Sequence, residues 1–258
     1  VGQGLVEILT TRRDELASRF GARFEIVAIS DPAKGSCYDP GGLNLEDLLD
    51  EVNSTGGLTS IDAPHRGWDS LRTITDSNAE IVIEISYTNL ETAEPALTHA
   101  RTALRAGKHL VTTNKGPAAL YFPELRALAN EKNVQIGVEG TVMSGTPALQ
   151  LGMEMLAGAG VNRIEGILNG TTNYILTQME NGDSYSQALT EAQEKGYAEA
   201  DPSGDVEGHD AAGKLVILAN LLMSLPLTVR DVECQGITQL APEDIVAAVR
   251  EVAGALAV

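Results

Sequence analysis

Basic side chains are scarce in this 258-residue chain: 18 Lys and Arg stand against 36 Asp and Glu, a formal net charge of −18. Such a surface excludes nucleic acid as a partner, because phosphate binding needs charge of the opposite sign. Aromatic residues make up 4% of the sequence, so a core has to be assembled from Ala, Val, Leu and Ile. No apolar run reaches the roughly eighteen residues of a membrane-crossing helix, and no charged segment followed by an apolar one reads as a secretory leader. Cys37 and Cys234 are too few for a disulfide framework and read as the reduced thiols of a cytoplasmic protein. His65, His99, His109 and His209 are scattered singly, without the Cys/His spacing of a zinc site, and read as packing or surface residues.

The chain is long enough for one large or two modest domains, each with its own core. Gly2 to Arg19 reads as a helix, with Leu5, Ile8, Leu9, Leu16 and Phe20 on one stripe. Phe24 to Ile29 reads as a strand ended by Ser30-Asp31-Pro32. Asp31 has two readings, a turn residue before proline or a carboxylate for the hydroxyls of an adenosine ribose. From Glu80 the elements alternate tightly: strands at 80–85, 109–112 and 134–138, helices at 91–106 and 117–132. Short joins between them argue for a parallel sheet covered on both faces, whose ligands sit at the carboxyl ends of the strands. Ser86-Tyr87-Thr88 and Thr113-Asn114-Lys115 occupy two such ends.

After Glu139 the character changes, and a domain boundary is expected there. A turn-rich segment runs to Pro147, a strand is expected over 161–168, and Asn169 offers an N-cap to the next helix. Helices then dominate, at 171–180, 185–195, 208–223 and from Pro242 onward. The densest chemistry is KGYAEADPSGDVEGHDAAGK at 195–214, where Glu199, Asp201, Asp205, Glu207 and Asp210 fall within sixteen residues of Lys214. Unpaired, such a cluster would be rejected by a core. Asp210 and Lys214 stand four apart, within ion-pairing reach on a helix, and the apolar run 215–222 puts the lysine where a buried helix emerges.

Four blocks now carry a family resemblance over nearly the full length: TTNKGP at 112–117, GVEGTVMSGTP at 137–147, GILNGTTNYIL at 166–176 and the block at 195–214. In this order they resemble homoserine dehydrogenase. The resemblance implies an α/β fold, a Rossmann-type parallel-sheet domain at 1–139 followed by an α+β substrate and dimerisation domain at 140–258. It implies an NAD(P)-dependent oxidoreductase of threonine and methionine biosynthesis that interconverts L-homoserine and L-aspartate 4-semialdehyde, a cytoplasmic homodimer. Lys214 falls on the acid–base lysine of the family and Lys115 on a second lysine beside nicotinamide. Glu199 falls on the partner of the substrate ammonium, Asp205 and Asp210 on the same pocket, and Gly170, Thr171 and Tyr197 on the amino-acid end of the substrate. Ser86 and Tyr87 lie in the loop laid against the dinucleotide. Glu139, Val142, Ser144 and Thr146 match a monovalent-cation site (Na+ or K+). Gly2 matches the third glycine of the phosphate loop, so the pattern implies a first strand and two glycines ahead of Val1, and a continuation beyond residue 258. His209 stands where the family has an aliphatic residue and reads as a surface variation.

The chemistry suits the assignment. Hydride addition to an aldehyde leaves negative charge on oxygen, which an ammonium stabilises and protonates; in reverse the neutral amine removes the hydroxyl proton. Two of six lysines fall on these positions, where arginine is too basic to serve. A related amino-acid dehydrogenase of the same plan and a ligand-sensing module without catalysis are the competing readings; activity on homoserine and dinucleotide binding separate them. The acidic, lysine-poor surface also points to a salt-adapted source, because its self-repulsion is relieved by screening. The thermal midpoint is therefore expected to rise as salt increases from about 0.1 M towards molar concentrations; a flat or falling midpoint in a salt series contradicts this.

Overall fold

Two threonine hydroxyls end the first helix early. In the computed structural model, which describes residues 1–248, the single helix expected over 2–19 is two: α1 (Gly2–Thr11) and α2 (Arg13–Phe20). The Thr10 and Thr11 hydroxyls donate to the carbonyls of Val6 and Glu7, each at 2.8 Å, a back-bonding that bends a helix. Arg12 then leaves helical geometry with ψ 17°. The chain divides into two units, Val1–Val138 and a second that begins at Glu139.

The first unit continues through β1 (Ala28–Asp31), β2 (Gly35–Tyr38), α3 (Leu45–Thr55), β3 (His65–Arg66), α4 (Ser70–Asp76) and β4 (Ile81–Glu84). It then runs through α5 (Ala96–Arg105), β5 (His109–Thr112), α6 (Lys115–Leu120), α7 (Phe122–Lys132) and β6 (Ile136–Gly137). β4, β5 and β6 form the expected parallel sheet, in register from Ile81 opposite His109 to Glu84 opposite Thr112. β1 does not join it. It pairs antiparallel with β2, and β2 with β3, in a separate three-stranded sheet. The cause is local: Asp31 Oδ1 accepts the N–H groups of Ala33 and Lys34, each at 2.8 Å, and this Asx turn reverses the chain.

An alanine stripe sets how closely α5 meets the parallel sheet. Ala96, Ala100 and Ala103 are fully buried, with Leu97 and Leu104 beside them. Ile74 of α4, Leu110 of β5 and Leu125 and Ala129 of α7 complete that core. The opposite face is not covered as expected: Ile81, Ile83 and Val111 remain 42%, 42% and 41% exposed. The helix expected over 117–132 is also two, parted at Tyr121 where φ reaches −134°.

The second unit opens on a 3-10 turn at Glu139–Thr141, then α8 (Ala148–Gln150), which runs into one π-helical turn at Leu151–Met155. α9 (Gly170–Glu180), α10 (Tyr185–Glu194), α11 (Ser203–Val206) and α12 (His209–Leu222) follow. Ile175, Met179, Ala188, Ala192, Ala198 and Val206 form one core here. Residues 161–168, expected as a strand, pair with no strand among the described residues, and Ile167 is 69% exposed. With no neighbouring strand to complete a ladder, such a segment leaves its backbone groups to water. The helix expected from Pro242 onward falls partly on residues 249–258, outside the described residues.

Where α6 crosses the turn before α5, only glycine fits. A Cβ at Gly116 would stand 2.5 Å from the Asn89 carbonyl oxygen and 2.9 Å from Ala93 Cα, both backbone atoms. Gly116→Ala is expected to lower stability by about 1–3 kcal/mol, read from the urea midpoint; an unchanged midpoint contradicts the crowding.

Candidate active site

Asn169 organises the second unit. Its extended backbone places it as N-cap of α9, with Oδ1 accepting the Thr172 N–H at 2.8 Å. That contact fixes the amide, because the oxygen faces the helix and the NH2 group must face away. The two N–H groups donate to Asp205 Oδ1 at 2.6 Å and to Asp210 Oδ2 at 2.9 Å. Asp205 comes from α11 and Asp210 from the first turn of α12. Gly208 turns the chain between these helices at φ 84°, in the left-handed region that favours glycine.

One turn further along α12, Lys214 Nζ lies 2.6 Å from Asp210 Oδ2 and donates to the Leu168 carbonyl at 2.7 Å. The lysine and aspartate side chains are only 14% and 17% exposed. A pair this far out of water is tolerated when its remaining lone pairs and protons are bonded, and Asn169 and Leu168 supply those bonds. An ammonium has three N–H groups, and the Leu168 carbonyl and Asp210 engage two of them.

Other residues marked by the sequence lie in the same unit. Gly170 begins α9, and a Cβ there would meet nothing within 4 Å. Thr171 donates its hydroxyl to the Tyr197 carbonyl at 2.7 Å. The Tyr197 ring packs on Tyr174 at 5.0 Å between centroids. Glu199 is exposed, and its carbonyl accepts the Gln193 amide at 3.0 Å. Among the described residues no ion pair joins it to Lys214. His209 is exposed at the start of α12, as expected of a surface residue.

Sequence reasoning found Asn169 as a cap and missed it as the bridge between two carboxylates. A signal was available: among the preferred cap residues, only Asn carries a separate donor group beside its accepting oxygen.

Glu139 accepts the N–H groups of Leu149 and Gln150 at 2.9 and 2.7 Å, capping α8, and the Thr146 carbonyl accepts from Ala148 at 2.8 Å. Ser144 adopts φ 53°, and Val142 is buried. A carboxylate and main-chain carbonyls are oxygen ligands of the kind a hard cation takes, and here both Glu139 oxygens are engaged by N–H groups.

In the first unit, Asn114 caps α6 by accepting the Gly116 N–H at 3.0 Å, and Lys115 is the first helical residue. The Asn114 amide also donates to the carbonyls of Ser86 and Tyr87, at 3.1 and 2.8 Å. These hold the loop at the carboxyl end of β4 to the start of α6. Tyr87 is 69% exposed, and the Ser86 hydroxyl is buried without a hydrogen-bond partner. An orphaned hydroxyl at a strand end fits a polar ligand there. Gly2 begins α1 beside the same strand; a Cβ on it would come 3.1 Å from Ile85 Cδ1. Asp31 spends Oδ1 on its turn. Among the described residues no helix is long and apolar enough to cross a membrane.

Comparison with known proteins gives these geometries a context. A family model described as homoserine dehydrogenase matches residues 147–254. An NAD(+)-dependent homoserine dehydrogenase of Pseudomonas canavaninivorans is 44% identical over 253 residues, covering 97% of this chain and 71% of the relative. The homoserine dehydrogenase of Methanocaldococcus jannaschii is 40% identical, covering 94% of this chain and 72% of the relative. A homoserine dehydrogenase mutant of a hyperthermophilic archaeon, solved in complex with NADPH, superposes with a TM-score of 0.81. It is 31% identical and covers 94% of this chain and 72% of that one.

Proposed function

This chain belongs to the homoserine dehydrogenase family of NAD(P)-dependent oxidoreductases, and we propose that Lys214 is the residue through which it moves the proton of the reaction. The observation that carries the proposal is the placement of the Lys214 ammonium, largely out of water and held by Asp210 and the Leu168 carbonyl. The dinucleotide, when bound, supplies or accepts the hydride. As L-aspartate 4-semialdehyde gains that hydride, Lys214 donates its third N–H to the carbonyl oxygen and delivers the proton, leaving L-homoserine. In the oxidative direction the neutral amine takes the hydroxyl proton while Asp210 stabilises the ammonium that forms.

The other roles follow. Asp205 and Asp210, both held by Asn169, line the substrate pocket, and Asp210 also orients the lysine. Glu199, exposed and negative, is the partner for the substrate ammonium; Gly170, Thr171 and Tyr197 line the amino-acid end. In the first unit, the nucleotide-binding one on this reading, Lys115, Ser86, Tyr87 and Gly2 serve the dinucleotide. Asp31 keeps its second carboxylate oxygen for a ribose hydroxyl. Glu139 with the carbonyls of Val142, Ser144 and Thr146 would hold a monovalent cation, and the active form would be a cytoplasmic homodimer, a state that sedimentation reads.

Lys214→Ala is expected to lower kcat for homoserine oxidation by about 10²–10⁴-fold, with the circular dichroism spectrum unchanged. A folded variant that keeps wild-type kcat contradicts the assignment.

A further inference from the structure

The parallel sheet of the first unit ends in a buried carboxylate that the chemistry above leaves unused. Glu84, the last residue of β4, is 4% exposed. Its Oε1 stands 3.4 Å from His99 Nδ1 on α5 and accepts the Ser86 main-chain N–H at 3.1 Å. Its Oε2 accepts the Thr112 hydroxyl at 3.3 Å. That hydroxyl in turn accepts the Asn114 N–H at 3.0 Å, and Asn114 holds the carbonyls of Ser86 and Tyr87. Two hydrogen-bonded routes therefore leave Glu84 and end on the same loop, one direct and one through Thr112 and Asn114. The second route also reaches the cap of α6, where Lys115 stands.

His99 anchors the other end, its Nε2 lying 2.8 Å from the Ser70 hydroxyl at the start of α4. The order Ser70–His99–Glu84 is that of a hydrolytic triad. Here both carboxylate oxygens are committed to the strand-end loop and to Thr112, so the row braces that loop. Burial pushes the Glu84 carboxyl up, but the donors from His99 and Ser86 more than offset it and hold it below the ordinary carboxylate range. The group is charged at neutral pH, and charge-assisted bonds hold geometry more firmly than neutral ones.

We propose that Glu84 is a positioning residue for the dinucleotide, setting the Ser86–Tyr87 loop and the start of α6 through its hydrogen bonds to Ser86 and Thr112. The inference rests on reading that loop as the dinucleotide side of the site. The exposed Tyr87 and the Ser86 main chain are then held in one arrangement before the ligand arrives, which lowers the entropy cost of binding.

The test uses the full-length protein as wild type, Glu84→Gln and Thr112→Val, titrated calorimetrically with NAD+ and with NADPH and assayed with homoserine. Glu84→Gln is expected to raise the dinucleotide Kd about tenfold, while the KM for homoserine moves less than about twofold. Thr112→Val breaks only the route through Asn114 and is expected to raise Kd about threefold. A dinucleotide Kd unchanged in the folded variants, with only the thermal midpoint lowered, overturns the proposal, as does a wild type that binds neither nucleotide. Should Glu84→Gln fail to fold, the Thr112→Val titration decides. A wild type that binds dinucleotide but does not oxidise homoserine sinks the enzymatic reading alone, and the Kd comparison still tests this one.

Discussion

One side-chain amide holds together the chemistry of the second unit. Asn169 turns its oxygen to the start of α9 and its two N–H groups to Asp205 and Asp210. Without those donors, two carboxylates would face each other across a partly dry site, and Asp210 would meet Lys214 under repulsion from its neighbour. With them, Asp210 is oriented before the lysine reaches it, and the 2.6 Å ion pair has little freedom left to lose. The lysine is thereby kept at one position while most of its side chain is withdrawn from water. In such surroundings an ammonium is worth more to a developing alkoxide than it would be on the surface.

The first unit uses the same device on a smaller scale. Asn114, also an N-cap, spends its oxygen on α6 and its amide on the carbonyls of Ser86 and Tyr87. Each half of the chain thus has an Asn that starts a helix and pins a neighbouring segment. The segments around Lys115 and Lys214 are fixed by hydrogen bonds, whereas the cores beneath them are built from small residues. Alanine on α5 and glycine at 116 allow close approach of helix, turn and sheet, as a chain with few aromatics requires.

Where periodicity and local caps agree, the fold is legible in the residues. The strand at His109–Thr112 lies where expected, and the helices at Gly170–Glu180, Tyr185–Glu194 and His209–Leu222 fall within a residue or two of their sequence limits. The four sequence blocks pointed to the family that the relatives support. Elements decided by side-chain competition were not legible. The break after Thr11 comes from hydroxyls that bond backwards, and while a turn at Asp31 was one of its two readings, the antiparallel β1–β2 hairpin built on that turn was not foreseen. Residues 161–168 have the composition of a strand but no partner among the described residues. In the site, the Asp210–Lys214 pair was readable from four-residue spacing. The bridge from Asn169 to Asp205 spans 36 residues and only the fold reveals it.

The central claim is that a carboxylate-held lysine exchanges the proton. The kcat for homoserine oxidation in Lys214→Arg, compared with wild type, tests it most directly. Arginine keeps the positive charge opposite Asp210 but is too basic to give up its proton, so kcat is expected to fall by about 10²-fold or more. A folded Lys214→Arg variant that keeps wild-type kcat contradicts the account.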